Sequence, residues 1–181
     1  SAIPGGTHLA PLAESFRTLR LEVLQQPFET DPAAEIRRIR QRVEHELAQE
    51  TSVRHDFKTG RGGLMDVEYV VQYLQLRHGG AHPALFSVDG IAAQIQRLAD
   101  LRLLPPEDAR VLGEAWTFLQ RLSSRLRIVE NRSISDLDEE RGDLDDLAQQ
   151  LGYDASQRAS AARRALLDDY RRHTAGVRAT Y

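Results

Sequence analysis

The chain has 181 residues, 41% hydrophobic and 28% charged, enough apolar material for one packed domain and too much for general disorder. Its 24 basic and 27 acidic side chains leave a formal charge of −3, which argues against a nucleic-acid partner held by its phosphates. No cysteine is present, which excludes disulfides, thiolate nucleophiles and cysteine-type zinc sites, and no apolar run approaches the roughly 18 residues that span a bilayer. A cytoplasmic protein with no membrane partner is the expectation.

Ser1-Ala2-Ile3-Pro4-Gly5-Gly6 has neither an initiator methionine nor a signal pattern, so residues 1–10 read as a flexible start and residues 1–181 as a single helical domain excised from a larger chain. The first helix is expected at Pro11–Gln26, with Leu12, Phe16, Leu19 and Val23 on one stripe and Pro27 as its stop. Asp31 caps a second helix with Pro32 in its first position; Ile36, Ile39, Val43 and Leu47 face inward, and Arg37, Arg38, Glu44 and Glu46 face solvent. Thr51 to Gly63 breaks the periodicity and reads as a loop or a short hairpin. Leu64–Arg77 is apolar on nearly every side, which predicts a central helix with Val70 and Leu74 in the core.

Gly79-Gly80 ends that helix, and Ser87 with Asp89 is expected to start another carrying Ile91, Ile95 and Leu98 to about Leu103. Pro105-Pro106 opens the longest helix, which runs through Val111, Leu112, Ala115, Trp116, Leu119, Leu122, Leu126 and Val129 to Glu130. After an irregular polar stretch, Asp143 caps a short helix closed by Gly152. Asp154 and Gln157 start the last helix, which turns Ala162, Leu166, Tyr170 and Val177 inward. With no run of alternating β-branched residues, the fold class is all-α, a bundle of about six to seven helices.

Three patterns fall short of chemistry. His45-Glu46-Leu47-Ala48-Gln49 has the start of a zinc-protease helix, but Gln49 stands where the second ligand belongs. Asp136 and Asp138 have the spacing of a magnesium-holding aspartate pair on a strand, yet no Gly-Ser turn and no strand pattern accompany them, so a loop with helix caps is the reading. The six histidines, His8, His45, His55, His78, His82 and His173, have no nucleophile or carboxylate at a recognisable spacing.

The informative stretch runs from Asp56 to Gln72. Gly60, Gly62 and Gly63 lie just before a helix start, where backbone amides can approach an anion, and Lys58 and Arg61 add positive charge. Asp66 occupies the first helical turn, and Glu68, Gln72 and Gln75 form a polar stripe on an otherwise apolar element. A buried helix must pair such a stripe, and another domain is one candidate partner. Spacing alone favours the plainer alternative, a tight glycine turn whose Asp66 and Glu68 pair with arginines of this domain.

The run Lys58-Thr59-Gly60-Arg61-Gly62-Gly63-Leu64-Met65-Asp66-Val67-Glu68-Tyr69, followed by Gln72, resembles the Lys-x-Gly-x-Gly-Gly-x-x-Asp-Ile-Glu-Phe-x-x-Gln signature of glutamine synthetase adenylyltransferases. The likeness continues through Leu74–Gly79, Trp116–Leu122 with Arg125-Leu126, Leu147–Tyr153 and Tyr170–Tyr181, and is collinear over residues 35–181. Ser123 departs from a common glutamate, so no role is assigned to it. Uridylyltransferases of the PII protein share the Gly-Gly-x-x-Asp core, but Glu68 and Gln72 fit the glutamine synthetase enzymes better.

The resemblance implies a bifunctional adenylyltransferase/deadenylase in whose halves a nucleotidyltransferase catalytic domain precedes a helical domain, this chain being only the helical part. It further implies that Lys58, Gly60, Arg61, Gly62, Gly63, Asp66 and Glu68 face a nucleotide or interdomain cleft, with Lys58, Gly63 and Asp66 serving that cleft rather than the stability of the domain. Catalytic residues and metal ligands are expected outside this stretch, ATP and magnesium belong to the parent enzyme, and the fragment alone is expected to be inactive. The implied partners are the catalytic domain of the same chain, glutamine synthetase and the PII protein. Two rival readings are a stand-alone adaptor and a PII-contacting regulatory domain, and the sequence does not separate the two enzyme halves.

Overall fold

The computed structural model describes residues 32–46, 48, 50–130, 135–154 and 160–180; the helix expected at Pro11–Gln26, the caps at Asp31 and Gln157 and the expected flexible start lie outside them. The described elements, in chain order, are α1 (Pro32–Glu46), β1 (Arg54–Asp56), α2 (Leu64–His78), a 3-10 turn (Pro83–Phe86), α3 (Ile91–Asp100), α4 (Pro106–Glu130), β2 (Asp136–Asp138), α5 (Leu144–Gln150) and α6 (Ala161–Thr180). The fold is predominantly helical, with six α-helices among the described residues, as the periodicity predicts.

Helix α4 is the spine. Its buried positions Leu112, Ala115, Leu119, Leu122 and Leu126 alternate steps of three and four, which keeps one seam inward along about 21 Å of helix. The upper half of that seam joins Val67, Val70 and Val71 of α2, Ile95 and Leu98 of α3, and Val177 of α6. The lower half meets Phe57, Leu64, Leu137, the α5 residues Leu144 and Leu147, and Leu166 and Tyr170 of α6. Trp116 packs against both clusters, so one helix belongs to two adjoining cores.

Five local expectations are corrected. Thr51–Gly63 does not fold back on itself: β1 pairs antiparallel with β2, Arg54 opposite Asp138, His55 opposite Leu137 and Asp56 opposite Asp136. The Asp136–Asp138 segment read as a loop is therefore a strand. Three residues are too few for alternation to register, and the pairing partner lies far away in sequence.

Helix α3 begins at Ile91 behind Gly90, whose φ is +84°, and not at Ser87 or Asp89. The Ser87 hydroxyl instead donates to the Ala84 carbonyl at the end of the 3-10 turn. Asp143 does hold the position before α5, but its carboxylate caps no amide, because Arg141 claims it at 2.6 and 2.7 Å. On α1 the inward position is Arg40, 1% exposed, while Ile39 of the expected apolar stripe is 39% exposed and Glu44 of the expected solvent face is half-buried. The reason is Asp66, a fully buried carboxylate that requires a cation.

Candidate nucleotide or interdomain cleft

The glycine segment connects β1 to α2, and Asp56 shapes its first turn. One Asp56 carboxylate oxygen accepts from the amides of Lys58 (2.9 Å) and Thr59 (2.8 Å), the other from the Thr59 hydroxyl (2.7 Å). The turn then closes through the Gly60 amide on the Asp56 carbonyl, and the Leu64 and Met65 amides on the carbonyls of Phe57 and Lys58. The Gly63 amide bonds to the Gly60 carbonyl, the Arg61 amide to Glu50 at 3.3 Å and the Gly62 amide to Asp66 at 2.7 Å. Every amide from Lys58 to Met65 thus has an acceptor inside the chain. In this conformation the backbone is not an open anion cradle, and what the segment can offer a ligand is its side chains.

The glycines are explained by the same closeness. Gly62 has φ +72°, and a Cβ there would meet the Thr174 carbonyl group of α6, whose carbon would lie at 2.6 Å. A Cβ on Gly60 would meet the Asp56 carbonyl and the Glu50 carboxylate. The segment is therefore fastened down on α6 and on the end of β1.

Beneath it lies a charge network. Asp66 accepts from Arg40 through Nε and Nη2, the latter at 3.2 Å, and lies 3.8 Å from Arg178 of α6. Arg40 Nη2 also donates to the Gly60 carbonyl at 2.9 Å. Glu44 completes the network, 3.6 Å from Arg40, 3.3 Å from Arg61 and 4.0 Å from Arg178. Two carboxylates and three guanidiniums thus tie α1, the glycine segment, α2 and α6 together. Because Asp66 is fully buried, its charge is compensated within the domain.

The expected site residues separate accordingly. Gly60, Gly62, Gly63 and Asp66 are buried, Lys58 is half-buried, and Arg61 stands out with 63% of its side chain exposed. Glu68 is half-buried on α2, and burial raises its carboxyl above the ordinary range. Sequence reasoning missed Arg40, Glu44 and Arg178. No local signal marks Arg40, whose burial answers a carboxylate 26 positions further along the chain.

The Asp136–Asp138 pair is engaged: Arg54 Nε donates to Asp136 at 2.7 Å and the Glu140 amide to Asp138 at 2.8 Å. That arrangement does not fit a magnesium site, and among the described residues there is no group of three or more histidines and acids that could hold a metal. His55 Nε2 lies 2.7 Å from Glu139, which also receives Arg171 at 2.6 Å, while His173 stacks on Phe118 with ring centroids 4.8 Å apart. Between α1, α2 and the start of α4 an apolar cleft of about 210 Å³ is lined by Ile36, Tyr69, Tyr73, Leu74 and Pro105, among others. No described helix is long and apolar enough to cross a membrane.

Comparison with known proteins agrees with this frame. The sequence model of the family described as GlnD PII-uridylyltransferase matches residues 33–181. A bifunctional glutamine synthetase adenylyltransferase/adenylyl-removing enzyme from Streptomyces avermitilis is 36% identical over 150 residues, covering 82% of this chain and 14% of that enzyme. Enzymes of the same description from Leifsonia xyli and Burkholderia pseudomallei are 38% and 33% identical over 120 and 121 residues, each match covering 66% of this chain. The chain spans only 12–14% of the length of these relatives. A helical chain matched from residue 33 to its last residue belongs to the GlnD PII-uridylyltransferase family and is homologous to a helical region of the glutamine synthetase adenylyltransferases.

Proposed function

We propose that this chain is the helical partner domain of a bifunctional glutamine synthetase adenylyltransferase/deadenylase, acting in the cytoplasm in the control of nitrogen assimilation. It packs on the nucleotidyltransferase catalytic domain of the same polypeptide and helps hold the nucleotide or the glutamine synthetase substrate. The observation that carries this reading is the 36% identity over 150 residues to a bifunctional glutamine synthetase adenylyltransferase/adenylyl-removing enzyme. It is supported by a glycine segment held in one conformation by its own hydrogen bonds, with Arg61 directed to solvent.

In the reaction implied by the relatives, a tyrosine oxygen of glutamine synthetase bonds to the α-phosphorus of ATP, the bond to pyrophosphate breaks, and the phenolic proton passes to a base. ATP and magnesium belong to the catalytic domain in this proposal. The helical domain contributes placement and charge: Lys58 and Arg61 face the anionic substrate, and the glycines and Asp66 hold the segment that carries them.

The test is made in the parent enzyme. Lys58→Ala and Arg61→Ala are each expected to lower adenylyl transfer at least tenfold, about 1.4 kcal/mol in the barrier, with little change in melting temperature, because the Arg61 side chain is 63% exposed and its ion pair with Glu44 is worth little. Unchanged rates in both variants would refute the cleft. A second reading, a non-catalytic module that contacts a protein such as PII, is favoured by the cleft beside Tyr69 and Tyr73. It predicts that Tyr69→Ala abolishes partner binding while transfer survives.

A further inference from the structure

Glu68, Gln72 and Gln75 follow one another at steps of four and three along α2 and therefore lie on one face. Two of them are unsatisfied. Among the described residues the half-buried Glu68 carboxylate has neither an ion pair nor a hydrogen bond, and two turns further on Gln75, 6% exposed, has a side-chain amide nitrogen that donates to nothing. Gln72 stands exposed between them.

The other half-buried acids are provided for. Glu139 is held by His55 and Arg171, Asp143 by Arg141, and Asp169 by Tyr153 and Arg172. Asp108 and Asp145 lie in first helical turns, where the helix dipole favours a negative charge. Glu68, in the second turn of α2, has neither kind of support.

We propose that this face of α2 is a docking strip for the transferase domain, on which Glu68 receives a lysine or arginine of that domain. The inference rests on the proposed function and adds to it a specific contact. A lone half-buried carboxylate selects a cation, so the partner surface carries one. The matched relatives place this stretch within chains about seven times as long, so the partner is tethered. Tethering raises its effective concentration to the millimolar range, where a few polar contacts suffice to close the interface. Glu68 also follows directly on the segment that the proposed function puts in the cleft, so docking here would bring Lys58 and Arg61 to the transferase domain.

The test variant is Glu68→Gln, which keeps the side chain's size and removes its charge. In the parent enzyme, hydrogen-exchange protection of amides 68–76 is expected to fall at least tenfold, and adenylyl transfer to fall with it. The 181-residue chain carrying the same substitution is expected to melt at the parent temperature or above. Unchanged exchange protection in the parent enzyme overturns the proposal. So does a loss of melting temperature in the chain alone, since the carboxylate would then have its partner inside this domain. If Lys58→Ala and Arg61→Ala lower transfer while Glu68→Gln changes nothing, the docking strip falls and the cleft stands; if those two variants are silent while Glu68→Gln loosens the exchange, the cleft falls and the strip stands.

Discussion

Replacing Asp66 by asparagine separates folding from function at the centre of the charge network. The sequence assigns Asp66 to a cleft, whereas its carboxylate is 0% exposed and bonds to Arg40, itself 1% exposed, and to the Gly62 amide. Asp66→Asn keeps an oxygen for Gly62 but turns an NH₂ group or a weaker acceptor towards a guanidinium that has no route to water. Removing one partner of a buried pair costs about 3–5 kcal/mol, because the other charge is left uncompensated. Glu44, 3.6 Å from Arg40, offsets part of this and favours the lower end. At about 2–4 °C per kcal/mol for a chain of this size, the melting temperature should drop by roughly 6–20 °C. The assay is thermal unfolding followed by circular dichroism at pH 7, with added salt expected to change the loss little because the pair is shielded from solvent. The double variant Arg40→Gln, Asp66→Asn removes both charges and should recover at least half of the loss. A single variant melting within about 2 °C of the parent, or a double variant whose losses simply add, would refute the assignment of this pair as the clamp beneath the glycine segment.

Other expectations follow from the same geometry. Gly62→Ala should cost more than about 1 kcal/mol and more than Gly152→Ala in denaturant unfolding: both glycines have positive φ, but only Gly62 abuts a neighbour, the Thr174 carbonyl. Leu119→Ala, at a fully buried position of the spine, should cost about 2–5 kcal/mol, and Leu74→Ala less, since Leu74 is part-buried and lines the apolar cleft; the reverse order of midpoints would mean that the cores are misplaced. Burial, and then Arg172, hold the His173 imidazole below its ordinary 6.5, so the unfolded chain binds the proton more readily. Stability should therefore be full above pH 6.5 and fall as the pH drops below it, and His173→Phe should flatten that part of the melting-temperature profile. Finally, the isolated chain with ATP, magnesium and glutamine synthetase should transfer no AMP, and labelling of the target by it would overturn the division of labour proposed above.

What was legible in the sequence depended on how local its cause is. Helix α4 could be bounded and oriented because Pro106 sets its start and the three-and-four spacing from Leu112 to Leu126 sets its buried face. The inward set of α6, Ala162, Leu166, Tyr170 and Val177, could be read in the same way. Arg40 could not, because its burial answers a carboxylate 26 positions away and contradicts the ordinary preference of arginine for water. The same holds for β2, which is a strand because of Arg54–Asp56 and not because of its own Asp-Leu-Asp. The glycine segment stood out as a motif, but three glycines before a helix suit an open nest of amides and a closed turn alike. The difference lies in Asp56, Glu50 and Asp66, whose carboxylates take up amides that an anion would otherwise need.

The ribbon of β1 and β2 carries a consequence for the order in which the molecule takes shape. Arg54 and Asp136 meet across 82 positions of chain, a loop whose closure costs about 4 kcal/mol in entropy on a logarithmic scale. During synthesis at about 5–20 residues per second, β1 precedes its partner by roughly 4–16 s. For that interval Phe57, fully buried in the finished protein, lacks the strand and the α6 contacts that cover it, and the turn after it has no Thr174 to rest on. The segment nearest the proposed chemistry is made early and set late.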